Sequence, residues 1–257
     1  LPGMGLGQVE FIKGSQSAVF GSEAVGGVIN LKTLSSEEEG SRGTITSEAG
    51  SYDTYAAGLA YERVGDNGFA ALSLSRVQTK GFSAKKTGAG ANEADPYYSN
   101  HLRLAFEHMA SENLGFNLAA LSSSETSYYD QFTPLTDKLD RDTQSVKVGL
   151  VLNFAGITNE ISITEANLTR KYTGSTYDSD RQDIEYKGQT SIGATKLIFG
   201  AASSKEAMFS TWGDEGSDTE KAIFVDVLRK ISNSLDVSAT IRQTESDDFS
   251  SNTSYRL

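Results

Sequence analysis

From Gly43 onward the chain alternates between apolar and polar positions with a period of two. Val146, Val148, Leu150, Leu152 and Phe154 fall on one face, with Lys147, Gly149, Val151 and Asn153 on the other. Leu102, Leu104 and Phe106 alternate with Arg103, Ala105 and Glu107, and Leu235, Val237, Ala239 and Ile241 with Asp236, Ser238, Thr240 and Arg242. Successive side chains of a strand point to opposite faces, so this period predicts a sheet with one greasy and one polar face. Strands are predicted over 43–49, 54–63, 68–79, 99–109, 115–126, 143–154, 158–170, 184–192, 196–209, 219–231 and 235–245, with another starting at 252–257. Pro2, Pro96 and Pro134 lie outside all of them, as ladder hydrogen bonding requires.

The connectors alternate in length. Gly65–Gly68, Ser111–Leu114, Ala155–Ile157, Gly193–Thr195 and Ser232–Ser234 are short and built from turn formers. Lys80–Tyr98, Ser127–Asp142, Lys171–Asp183, Ser210–Asp218 and Glu245–Ser250 are predicted as long loops, with one short turn near Ser51–Asp53 on the same side. Outer-membrane barrels combine short periplasmic turns with long external loops, whereas a soluble sandwich has no reason to sort its loops in this way. The expected fold is all-β: a partial antiparallel transmembrane barrel of about 11–12 strands, part of a larger barrel.

Composition narrows the function. The 257 residues carry 34 acidic and 23 basic side chains, a net charge of −11, which is the wrong sign for a nucleic-acid partner. Cysteine is absent and there are only two histidines, His101 and His108, so thiolate chemistry is excluded and a histidine-rich zinc site is not expected. The two histidines are seven residues apart on one predicted strand, hence on opposite faces. Neither Ser17 nor Ser22 lies in a Gly-x-Ser-x-Gly elbow. No enzymatic constellation is predicted. The chain starts at Leu1 and ends within a predicted strand, which reads as an internal piece of a longer protein.

Ahead of the barrel-like region, two apolar runs, Val9–Ile12 and Val28–Leu31, flank a glycine-punctuated segment with Gly14, Gly21, Gly26 and Gly27. The order Glu10-Phe11-Ile12-Lys13-Gly14, Ser17-Ala18-Val19-Phe20-Gly21-Ser22, Ala24-Val25-Gly26-Gly27-Val28-Ile29-Asn30 resembles the end of the plug domain of TonB-dependent outer-membrane receptors. Ser15 replaces a common proline and Phe20 a common tyrosine, and neither change removes a glycine. The resemblance implies three parts: the C-terminal end of a plug over 1–34, a linker over 35–42, and the first part of a barrel over 43–257. In such a plug, Lys13, Gly14, Gly21, Gly26 and Gly27 shape the last strands and turns.

Looser matches at Glu48–Tyr55, Thr79–Ser83 and Tyr129-Asp130 are similar to the vitamin B12 (cobalamin) receptor branch. That branch implies a corrinoid ligand, a TonB energy-coupling partner whose contact segment is not in this chain, an outer-membrane lipid setting, and calcium held by aspartates of neighbouring outer loops. The matching positions are Asp130, Asp140 and Asp142 in one segment and Tyr177 and Asp178 in the next, among acidic neighbours Asp137, Asp180 and Asp183. Calcium takes six to eight oxygen ligands, and solvated acidic loops are the alternative. Tyr97, Tyr98, Tyr128 and Tyr129 are expected in the outer aromatic girdle or against a ligand. A ferric-siderophore receptor of the same family is the second functional expectation, and a passive porin or adhesin barrel the third.

Overall fold

A computed structural model describes residues 6–13, 24, 26–33, 39–83, 85, 86, 88, 93–129, 137–232 and 235–257. Two strands, β1 (Leu6–Lys13) and β2 (Gly27–Thr33), form a separate antiparallel pair. Twelve more follow: β3 (Gly40–Gly50), β4 (Thr54–Gly65), β5 (Gly68–Thr79), β6 (Tyr97–Ser111), β7 (Leu114–Tyr128), β8 (Lys138–Phe154), β9 (Ile157–Tyr172), β10 (Ser175–Ile192), β11 (Thr195–Ser210), β12 (Glu215–Ser232), β13 (Leu235–Ser246) and β14 (Asn252–Arg256). They make one sheet in which each strand pairs only with its sequence neighbours, all antiparallel. β3 begins at Gly40, inside the segment read as linker.

The two apolar runs of the plug-end signature are the strands that pair. Phe11 faces Ile29 and Lys13 faces Gly27, and the Asn30 side-chain amide donates to Glu10 at 2.8 Å. Gly27 has φ of 145°, and a Cβ there would come within 2.5 Å of the Ile12 carbonyl oxygen, so the strand entry demands glycine. Gly14 and Gly21 lie outside the described residues, as does the first half of the linker, 35–38.

The large sheet inverts the pattern of a water-soluble protein. Its large apolar side chains are the exposed ones, among them Ile45 at 83%, Val148 at 49% and Ile241 at 53%. The opposite face buries Glu62, Ser99, His101, Arg103 and Arg242, each at 8% or less. A sheet curled around its polar face produces this: neighbouring side chains crowd each other on the inside while the outside stays open to hydrocarbon. Solvating apolar surface costs about 25 cal/mol per Å², so the outward face requires lipid. His101 is buried on the inward face, and His108 stands exposed on the outward face beside Phe106 at 6.1 Å.

On the inward face charges are paired. Glu160 is within 2.8 Å of Lys187 and 3.6 Å of Lys147 and accepts from Asn117, and Arg42 meets Glu62 at 3.2 Å. Such pairs satisfy polar groups that the curled sheet would otherwise strand.

The short connectors among the described residues are tight turns as expected, and 233–234 of the last one lie outside those residues. Ala155 and Gly156 both take positive φ, 53° and 76°, the conformation of a two-residue turn matched to strand twist. The outer connectors differ from expectation. Lys171–Asp183 is no loop: β9 runs to Tyr172 and β10 starts at Ser175, joined through Thr173 and Gly174, whose φ is 90°. Ser210–Asp218 shrinks to 211–214 and Ser127–Asp142 to 129–137. Beyond the lipid both faces of a strand are wet, so the apolar–polar alternation ends while the backbone ladder continues. With 18 residues, β10 is about 60 Å long and, tilted by about 40°, rises about 45 Å, well past a hydrocarbon core of about 30 Å.

Candidate functional site: an outer cleft above a basic wall

The ladder extensions of β9 and β10, the end of β7, the start of β8 and the β11–β12 turn enclose a cleft of about 680 Å³. Tyr129, Tyr172, Tyr177 and Trp212 supply its aromatic surface, and Asp137, Arg170 and Asp214 its charge. Backbone hydrogen bonds fix the rim. Tyr129 N donates to Asp137 O at 3.0 Å, Thr211 N to Thr176 O at 3.0 Å, and Ser210 N to Asp214 O at 2.7 Å. The rings of Tyr172 and Tyr177 meet edge to face at 6.5 Å, while Trp212 is 77% exposed and presents an open ring. Burial, followed by the Asp137 carboxylate, pushes the Tyr129 phenol above its ordinary pKa, so it stays a neutral hydroxyl at physiological pH.

Register stacks a charged row along the inward wall under this cleft. Tyr177 pairs with Arg170, Arg170 with Arg141, Arg141 with Glu125 and Glu125 with Ser99. The row is linked only loosely: Arg141 lies 3.7 Å from Glu125, and His101 3.9 Å from the same carboxylate. The Nε atoms of Arg141 and Arg170 are buried without a hydrogen-bond partner. Leaving such a donor unsatisfied costs about 1–3 kcal/mol, while the Arg141 side chain as a whole stays 39% exposed and can meet an anionic oxygen with its terminal nitrogens. The cleft's volume lies within the range of pockets for drug-sized ligands.

The structure separates the residues expected at the site. Tyr129 and Tyr177 line the cleft. Tyr97 shares the inward parity of Ser99, whereas Tyr98 is on the outward face, 42% exposed, and Tyr128 shares its parity. Asp140 and Asp142 sit on β8 and Asp178 on β10, not in loops; on the outward face Asp142 and Asp178 share one row, either side of Thr169, and Asp140 lies in the next. Asp140 accepts from Thr126 at 2.7 Å and pairs with Lys138 at 2.7 Å; Asp178 accepts from Thr169 at 2.6 Å. Tyr177 and Asp178, adjacent on one strand, face opposite sides. Among the described residues no three acidic or histidine side chains gather in a way that would hold a metal ion, and Asp130 lies outside those residues. Of the residues expected around calcium, Asp140, Asp142 and Asp178 thus share the outward face and Tyr177 the inward one.

Arg141, Arg170 and Trp212 were not anticipated. A signal for the arginines exists in the sequence: Arg141 has the parity of Lys147, and folding the 143–154 and 158–170 strands back antiparallel brings Arg170 opposite Arg141.

No family model matches the sequence. The chain is 25% identical over 166 residues to the vitamin B12 transporter BtuB of Vibrio cholerae, covering 61% of this chain and 26% of that protein. The siderophore receptor PirA from Pseudomonas aeruginosa superposes with a TM-score of 0.72 at 14% identity, over 95% of this chain and 44% of that one. A mutant of the ferric enterobactin receptor PfeA from the same species gives 0.75 at 10% identity, over 97% and 45%. The chain thus spans about a quarter of the curated relative and less than half of each solved structure.

Proposed function

We infer, from a chain that belongs with the TonB-dependent receptors of the Gram-negative outer membrane, that the complete protein is an active-uptake receptor whose ligand is captured at the outer cleft. The observation that supports this most is the aromatic cleft opening directly onto a charged inward wall, on the same chain as the separate β1–β2 pair whose sequence resembles a plug end. An apolar, ring-bearing ligand would lie against Tyr172, Tyr177 and Trp212 and hand its polar groups to Arg170 and Arg141. In the proposed cycle, TonB draws on the plug, and the rearranged plug leaves a path along the polar wall.

A corrinoid is the first candidate ligand, supported by the similarity to a vitamin B12 transporter over three-fifths of the chain. Cyanocobalamin binding to the complete receptor in outer membranes tests it: saturable binding lost in a Tyr177→Ala, Trp212→Ala variant supports the reading, and no binding overturns it. A ferric siderophore is the second, favoured by the two guanidinium groups paired on the inward wall, with Arg170 lining the cleft, because many such complexes are anionic. Competition between cyanocobalamin and a ferric catecholate for the same site separates the two.

A further inference from the structure

We propose that the outward face of β10–β12 holds one acyl chain of an anionic outer-leaflet lipid, with the lipid's phosphate on Lys205 and Lys221. Two adjoining grooves of about 490 and 420 Å³ run along this face and share Tyr186, Ala201, Ile223 and Gln243. Register explains them. Ile184 pairs with Ser203 and Ser203 with Lys221, while Tyr186 pairs with Ala201 and Ala201 with Ile223. Small β11 side chains thus form a floor between a β10 wall and a β12 wall. On the neighbouring strands the same rows carry Val148 with Ile163 and Leu150 with Ile161, which leave no trough.

The groove has a closed lower end and a charged upper one. Phe199 leans over Gly188, where a Cβ would lie 2.5 Å from its ring, and meets Tyr186 edge to face at 6.2 Å. Lys205 follows Ser203 on the same face, diagonal to Lys221. Both lysines are exposed, and neither has an ion-pair partner among the described residues, Glu245 opposite Lys221 included. From Phe199 to Lys205 is about 20 Å along the strand, or about 15 Å of height at a tilt of about 40°, which is the depth of one leaflet. Lys205 lies toward the aromatic cleft and Phe199 toward the 193–194 turn, so the leaflet is the outer one. A chain in the trough restores dispersion contacts that the small floor residues cannot make, and the lysine stems follow it upward to the phosphate. The inference rests on membrane embedding and is independent of the imported ligand.

The test is native mass spectrometry of the complete receptor, released from detergent after titration with diphosphorylated lipid A or with phosphatidylcholine. Lipid A adducts are expected to persist, and phosphatidylcholine adducts to be lost. A Lys205→Ser, Lys221→Ser variant should bind lipid A about 25-fold more weakly, about fivefold for each lysine removed. Ala201→Phe, which fills the floor, should abolish the adducts. Heat-modifiable gel migration and uptake-ligand binding are expected at wild-type level in both variants, which reports folding separately. Equal retention of the two lipids, or unchanged lipid A binding in either variant, overturns the proposal.

Discussion

The two faces of the twelve-stranded sheet are made from one alternating sequence yet obey opposite rules. Outward, Val146, Val148 and Ile163 stand open and touch little protein, and their energy comes from hydrocarbon. Inward, Glu160 closes on Lys187, Lys147 and Asn117, and the energy of these groups comes from pairing. The comparison teaches that burial in this protein marks polar function and exposure marks membrane contact. A reading that equates buried with apolar would invert the molecule.

Substitutions that exchange the rules should break the comparison most strongly. Val148→Arg, on the outward face, is expected to destabilise the barrel by about 2–4 kcal/mol in denaturant titrations in lipid vesicles, while Lys147→Arg, one residue away and inward, stays within about 0.5 kcal/mol. Equal effects would mean that the faces are misassigned. Gly68→Ala comes next. Its φ of 147° and a Cβ only 1.9 Å from the Glu107 carbonyl oxygen predict a loss of about 1–3 kcal/mol by the same titration, through the backbone contact of β5 with β6 and not through either face.

Inward charge is the sharper probe of function. Arg141→Ala with Arg170→Ala is expected to weaken an anionic siderophore by at least about tenfold, equivalent to about 1.4 kcal/mol, in equilibrium binding. A neutral corrinoid should change by less than about twofold, so the ratio of the two effects identifies the ligand class. The smallest effect is expected from calcium chelation, below about twofold in ligand affinity, because Asp140 already holds Lys138 and Asp178 already holds Thr169. A tenfold loss would instead assign an ion to the segment containing Asp130.

The strand count and the faces were legible because lipid imposes a period of two wherever it touches the chain. Val146 to Phe154 shows this plainly, and the short turns at Ala155-Gly156 and Gly193 carried their own glycine signals. The outer ends were not legible. Asp178 and Asp180 sit on a strand that reads as a loop, since water on both faces removes the alternation without breaking the ladder. Sequence proximity of the acidic residues said nothing about face, and parity sets Tyr177 and Asp178 apart. The pairing of Arg141 with Arg170 required register, which the two-residue turn at Ala155-Gly156 fixes and composition hides.

The ladder extensions of β9–β11 also carry an entropic consequence. A rim made of flexible loops surrenders backbone freedom whenever it closes on a ligand. Here Tyr172, Tyr177 and their supporting backbone lost that freedom on folding, because the ladder runs to within two residues of the tip at Thr173-Gly174. On the proposed reading, capture at the cleft then costs chiefly side-chain rotamers, about 0.5–1.5 kcal/mol for each one immobilised. The receptor would thus meet its ligand with a preorganised wall, leaving more of the contact energy to appear as affinity.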